Sequence, residues 1–136
     1  TWFCHRWTTA DGTKKLVSTR MPITDEATGR SVKAINEEIH SLAAAINSPA
    51  LDGAATVASS NSEVPVEVVV KKHDGATYLF AVAMKSGTTE AVFTVDGVPD
   101  GATVEVINED RTLTVRDGRF TDAFAFDFDV NLYRIR

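Results

Sequence analysis

The chain has 136 residues, 43% of them hydrophobic and 24% charged, with a formal net charge of −5 at pH 7. That length holds one domain, or one domain with a fragment of another, and the moderate acidic balance without a basic run gives no electrostatic reason to bind nucleic acid or an anionic membrane. A single cysteine, Cys4, excludes an intrachain disulfide, and no apolar run reaches the roughly 20 residues of a membrane span.

Three zones follow one another. In the first, residues 1–22, Trp2 to Trp7 is aromatic-rich with strand-like composition, and Asp11-Gly12 marks a turn. Thr1-Trp2-Phe3-Cys4-His5 lacks the shape of a signal peptide and reads as if taken from within a longer polypeptide. The second zone, 23–49, predicts a helix. Thr24 is a good N-cap, and Asp25 and Glu26 place negative charge where the helix dipole favours it. Val32, Ile35, Ile39, Leu42 and Ile46 then recur at steps of three and four, a single amphipathic stripe that must be covered. Gly29 moves the expected start toward Arg30, and Asn47 before Ser48-Pro49 ends the helix. Together residues 1–49 form one segment, and 50–63 reads as a linker or an edge strand around Ala54–Ser59.

The third zone, 64–136, alternates throughout. Val64, Val66, Val68 and Val70 mark one strand, and Tyr78 to Met84 a second that is apolar on both faces and therefore central. Further strands are expected at Glu90–Val95, Thr103–Ile107, Arg111–Val115, Arg119–Phe124 and Phe128–Ile135. The breaks are Asp74-Gly75, Ser86-Gly87, Asp96-Gly97, Asp100-Gly101 and Asp117-Gly118. Asp-Gly between alternating segments favours hairpin turns in which both residues take positive φ. Short strands at this spacing predict a mainly β fold: an antiparallel β-sandwich of seven or eight strands preceded by one amphipathic α-helix.

The runs "ATYLFAVAMKSGTTEAVFTV", "ATVEVINEDRTLTVRDGRFTDAF" and "VNLYRIR" resemble the C-terminal β-sandwich accessory domain of multidomain glycoside hydrolases, which often follows a (β/α)8 barrel. "INEEIHSLAAAINSPAL" is similar to the last helix of such a barrel, and "TWFCHRW" looks like its eighth strand. The resemblance implies a non-catalytic carbohydrate-binding or accessory module of a polysaccharide-degrading enzyme, with the upstream barrel and a polysaccharide or oligosaccharide as partners, and it favours a secreted setting. The paired carboxylates that glycosidases use belong to barrel strands this chain lacks. Two alternatives stand beside that reading: a purely structural C-terminal domain, and a glycosidase fragment whose active site needs the upstream barrel. An immunoglobulin-like interaction module is a further alternative, weakened by the missing Cys…Trp…Cys pattern.

Trp7, Trp2, His5 and Arg6 are the candidate carbohydrate-binding residues, since the C-terminal end of a barrel strand faces the active site. The flat indole of Trp7 suits the apolar face of a sugar ring; core packing of both tryptophans is the competing reading. The polar tips of Tyr78 and Tyr133 suit marginal positions, and Tyr78 joins this set, whereas alternation points the sandwich phenylalanines, Phe126 and Phe128 included, into the core. Asp127, Asp129 and Asn131 match the opening of a calcium loop. Leu132 stands where that loop needs glycine, however, so a solvated strand face is preferred and no cofactor is expected beyond this weak calcium candidate. His5, His40 and His73 lack metal-ligand spacing and read as surface histidines.

Overall fold

The computed structural model describes residues 26–136, and the chain divides between Ser41 and Leu42 into two units. Trp2, His5, Arg6, Trp7 and the Thr24 cap lie outside the described residues. The first element is the helix α1, Glu26–Ile46. It includes Gly29 in its first turn, so that glycine does not delay the start to Arg30. Glu26 pairs with Arg30 and Lys33 with Glu37, each four residues apart, an arrangement that supports an exposed helical face. In the stretch up to Ser41, Ile35 and Ile39 are exposed. Among the described residues no helix is long and apolar enough to cross a membrane.

The unit from Leu42 onward holds eight strands: β1 Ala55–Ser59, β2 Val66–His73, β3 Ala76–Ala83, β4 Thr89–Val95, β5 Thr103–Val106, β6 Arg111–Thr114, β7 Arg119–Phe124 and β8 Val130–Ile135. They form a three-stranded sheet, β1-β4-β7, and a five-stranded sheet, β2-β3-β8-β5-β6, with every pairing antiparallel. This is the β-sandwich that the alternation predicts, and β3 is indeed an interior strand. Residues 50–63, open above between linker and edge strand, contain β1, which pairs with β4 from Ala55↔Val95 to Ser59↔Ala91.

Turn chemistry explains the hairpins. Asp74 and Gly75 (φ 48° and 73°) and Asp117 and Gly118 (φ 50° and 72°) both take left-handed conformations, as tight two-residue turns demand. At Asp96-Gly97 and Asp100-Gly101 only the glycine does, so those Asp-Gly pairs serve looser connections. The β5–β6 turn uses Asn108 and Asp110 at positive φ instead, the two residue types that tolerate it best after glycine.

The core between the sheets gathers the inward side chains of both: Val66, Val70, Leu79, Ala81, Ala83, Ala91, Val104, Val106, Val115 and Ile135 around an aromatic centre. Phe93 stacks on Phe120 at 4.8 Å, and Tyr133 meets both edge-on at 5.2 and 5.1 Å, within the separations at which aromatic pairs attract.

A second, smaller cluster lies on the outer face of the five-stranded sheet. Leu42 and Ala45 of α1 pack on Ala76 and Tyr78, flanked by Phe80, Ile107 and Leu132. The stripe expected to be buried thus contributes only Leu42; Ile35, Ile39 and Ile46 stay exposed. The contact uses Leu42 and Ala45, an i, i+3 pair, and the small Ala45 lets the backbone approach the Tyr78 ring. Lys71 fastens this end of the helix, its Nζ donating to the carbonyls of Ile46 and of Ser48 (2.7 Å), where a cation also meets the negative helix terminus. Leu42→Ala is expected to lower the unfolding free energy by about 2 kcal/mol, the low end of the range for buried leucines because Leu42 borders solvent. Ile39→Ala should stay within about 0.5 kcal/mol. Urea unfolding of the two variants measures both.

Candidate functional site

Two places in the sandwich concentrate chemistry: a carboxylate inside the core and an aromatic loop at one end. Along β7, Phe120, Asp122 and Phe124 point inward, so an aspartate stands in the apolar row of the smaller sheet. Beside the Ala123 N–H of its own strand (2.9 Å), its side-chain partners come from the larger one. Arg111 of β6 donates to both carboxylate oxygens (2.7 and 2.9 Å), Tyr133 Oη of β8 donates at 2.9 Å, and Asn131 Nδ2 at 3.3 Å. Asn131 also donates to the Ala123 carbonyl, and Glu109 takes the remaining Arg111 Nε. A buried charge is tolerable only with this degree of pairing, and among the described residues no buried side-chain polar atom lacks a partner. Hydrogen bonding to Asp122 pushes Arg111 above its ordinary range. Burial first, and the Asp122 charge second, push the Tyr133 hydroxyl well above the usual tyrosine value.

The second place joins β7 to β8. Residues Ala125–Asp129 form a loop in which Phe126 and Phe128 are 73% and 60% exposed. The phenylalanines were expected in the core, and these two depart from it because β7 ends at Phe124 and β8 begins only at Val130. Phe128 adopts φ 56°, a left-handed conformation that is a true outlier for a bulky side chain. Two aspartates hold the loop there. Asp129 accepts from the backbone N–H groups of Ala125, Phe126 and Val130, at 2.8, 3.2 and 3.0 Å. Asp127 accepts from Gly87 N–H at 2.8 Å, and the Ser86 hydroxyl, then that N–H, hold its carboxyl below the usual carboxylate range. Gly87 itself sits at φ 122°, where a Cβ would lie 2.8 Å from Val64 Cγ2, so only glycine fits the position that receives Asp127.

The loop borders the outer face of the five-stranded sheet. Asp129 C=O accepts from Ala83 N–H, extending the β3–β8 pairing in which Val82 faces Val130. On that face Met84, Val130 and Val69 are exposed, and Phe80, the register partner of both Val69 and Leu132, is half-buried. The aromatic loop therefore ends an apolar strip. At the opposite end of β8, a shallow depression of about 400 Å³ is lined by Lys72, His73, Thr77, Val98 and Arg136.

The remaining predicted residues fall elsewhere. Tyr78 is buried beneath Leu42 and Ala45, so its ring offers no open platform; the sequence gives no sign that the helix end lands on that strand. Asp127, Asp129 and Asn131 do not share one solvated face. Asn131 points into the core toward Asp122, and the two aspartates turn their oxygens toward backbone N–H groups, partners that an anion needs and a cation repels. Among the described residues no three His, Cys, Asp or Glu side chains group as a metal site would. His40 and His73 are exposed. The Asp122 cluster escaped sequence reasoning, although an aspartate two residues from each of Phe120 and Phe124 was a readable sign of a polar group on the core face. Comparison of the chain with protein-family models, curated proteins and solved structures finds no match.

Two measurements check these assignments. Because the folded Tyr133 pKa lies above its unfolded value of about 10, its contribution is whole below that pH and declines as pH rises past it. Tyr133→Phe should cost about 1–2 kcal/mol at pH 7, and its deficit relative to wild type should shrink above about pH 10 in urea unfolding. Phe128→Gly removes a backbone strain of about 1–3 kcal/mol at an entropic cost of about 0.5–1. It should raise thermal stability, as calorimetry would read.

Proposed function

We propose that the sandwich is a non-catalytic accessory module of a polysaccharide-degrading glycoside hydrolase and that it meets glycan through the Phe126–Phe128 loop. The observation that carries this reading is the pair of solvent-facing phenylalanines held on a strained, doubly clamped loop. Apolar rings kept in water and fixed in place form a platform for the C–H face of a sugar, and a pinned loop loses little entropy when a ligand settles on it. The reading is non-catalytic because the buried carboxylate, Asp122, is engaged by Arg111, Tyr133 and Asn131 inside the core. A general acid or nucleophile needs its oxygens turned to substrate.

The apolar strip of Val69, Met84 and Val130 favours a second reading, a structural domain that docks against a neighbouring domain of the same polypeptide. Retention on insoluble polysaccharides separates the two. On the first reading the chain is retained by at least one member of a polysaccharide panel. Phe126→Ala/Phe128→Ala then weakens retention about tenfold or more, since covering even half of two such rings contributes about 1.5–3 kcal/mol. The melting temperature should hold or rise. Absence of retention across the panel rejects the glycan reading in favour of the docking one.

A further inference from the structure

From the charges around the aromatic loop we infer that its ligand is an uncharged polysaccharide and that acidic glycans are turned away. This rests on the glycan reading of the same loop and adds the class of chain it accepts. Asp127 stands between the two phenylalanines, fully exposed, and half-buried Asp129 follows Phe128. Across the sheet, the row through Val130 and Val82 ends on exposed Glu67. Glu63 lies just upstream of Pro65, whose carbonyl accepts from Met84. Among the described residues of this surface, one ammonium stands against these four carboxylates: Lys85, beside the Ser86-Gly87 pair that holds Asp127. Four negative charges less one positive leave a balance of −3 among these described residues, around an apolar ridge.

Two consequences follow from that placement. Carboxylate oxygens accept several hydrogen bonds each, so Asp127, which accepts from Gly87 N–H and from the Ser86 hydroxyl, keeps its remaining lone pairs for sugar hydroxyls beside the rings. Uronate or sulfate groups within a Debye length, about 10 Å at 0.1 M salt, would instead meet repulsion that the single lysine does not offset. An uncharged, hydroxyl-rich chain satisfies both the rings and the acceptors.

Co-sedimentation of the full chain with insoluble cellulose, xylan and mannan, and with cross-linked polygalacturonate, tests this at low and at high salt. Retention on a neutral polymer at least tenfold above that on polygalacturonate at low salt, lost in Phe126→Ala/Phe128→Ala with its melting temperature maintained, is the expected result. The polygalacturonate deficit should narrow as salt screens the charges. Equal or stronger retention on polygalacturonate at low salt overturns the charge inference while leaving a glycan-binding loop standing. Retention that the double variant does not alter removes the loop as the site. No retention on any polymer overturns both this inference and the reading beneath it.

Discussion

A carboxylate enclosed between two sheets constrains everything around it. Asp122 belongs to the smaller sheet, while Arg111, Asn131 and Tyr133 belong to the larger. Neither sheet can satisfy its half of the cluster alone, and an isolated charge in such a place would be prohibitive. Asp122 therefore meets its side-chain partners where the two sheets face each other. The same bonds select the register. A one-residue slip of β7 would turn Asp122 outward and bring Thr121 and Ala123 to the core side, stranding Arg111 and the Tyr133 hydroxyl. Replacing such a cluster with apolar groups can leave stability intact, whereas removing one partner alone strands a buried charge. The pairing matters for β6, a strand of four residues at the edge of its sheet, which has little ladder of its own to fix it.

Closure also sorts the aromatic residues. Phe93, Phe120, Phe124 and Tyr133 fill the interior and contact one another, and Tyr78 is taken by the end of the helix. With these rings occupied, the exposed aromatic surface among the described residues resides in the β7–β8 loop, and exposed apolar surface lies on the outer face of β2, β3 and β8. A sandwich interior that is fully packed and fully hydrogen-bonded can act on a partner only through such outer features.

How far the sequence foretold this depends on what each residue is made to do. Strands β2 to β8 were legible because strict alternation and glycine-marked turns are local signals, and local signals survive folding. The helix was legible for the same reason, with Glu26 in its first turn and only the alternative start near Arg30 set aside. What alternation cannot reveal is where a strand stops. In "AFAFDFDVNLY" phenylalanine and aspartate alternate without interruption, so Phe126 and Phe128 looked like core, and Asp127 and Asp129 like a solvated edge. The break after Phe124 is set by the two aspartate clamps and by Gly87, forty residues away from Asp127. The burial of Tyr78 is likewise tertiary, decided by where Leu42 and Ala45 land. The residues of the aromatic first zone lie outside the described structure, and the role that the glycosidase resemblance implies for Trp7 stands apart from the loop argued above.

The conformation of Phe128 links the core to the surface. A phenylalanine at φ 56° persists only where its surroundings outweigh its strain. Those surroundings are the three N–H bonds to Asp129, the Asp127 link to Gly87, and β8 itself, which carries Asn131 and Tyr133 into the Asp122 cluster immediately downstream. The interior thus holds the strand that holds the loop. A protein gains nothing in stability from keeping two apolar rings in water on a strained backbone, since glycine at 128 and small polar residues in place of the rings would fold more comfortably. On the proposed glycan reading, that strain and that exposure are what hold the two rings outward in a fixed posture.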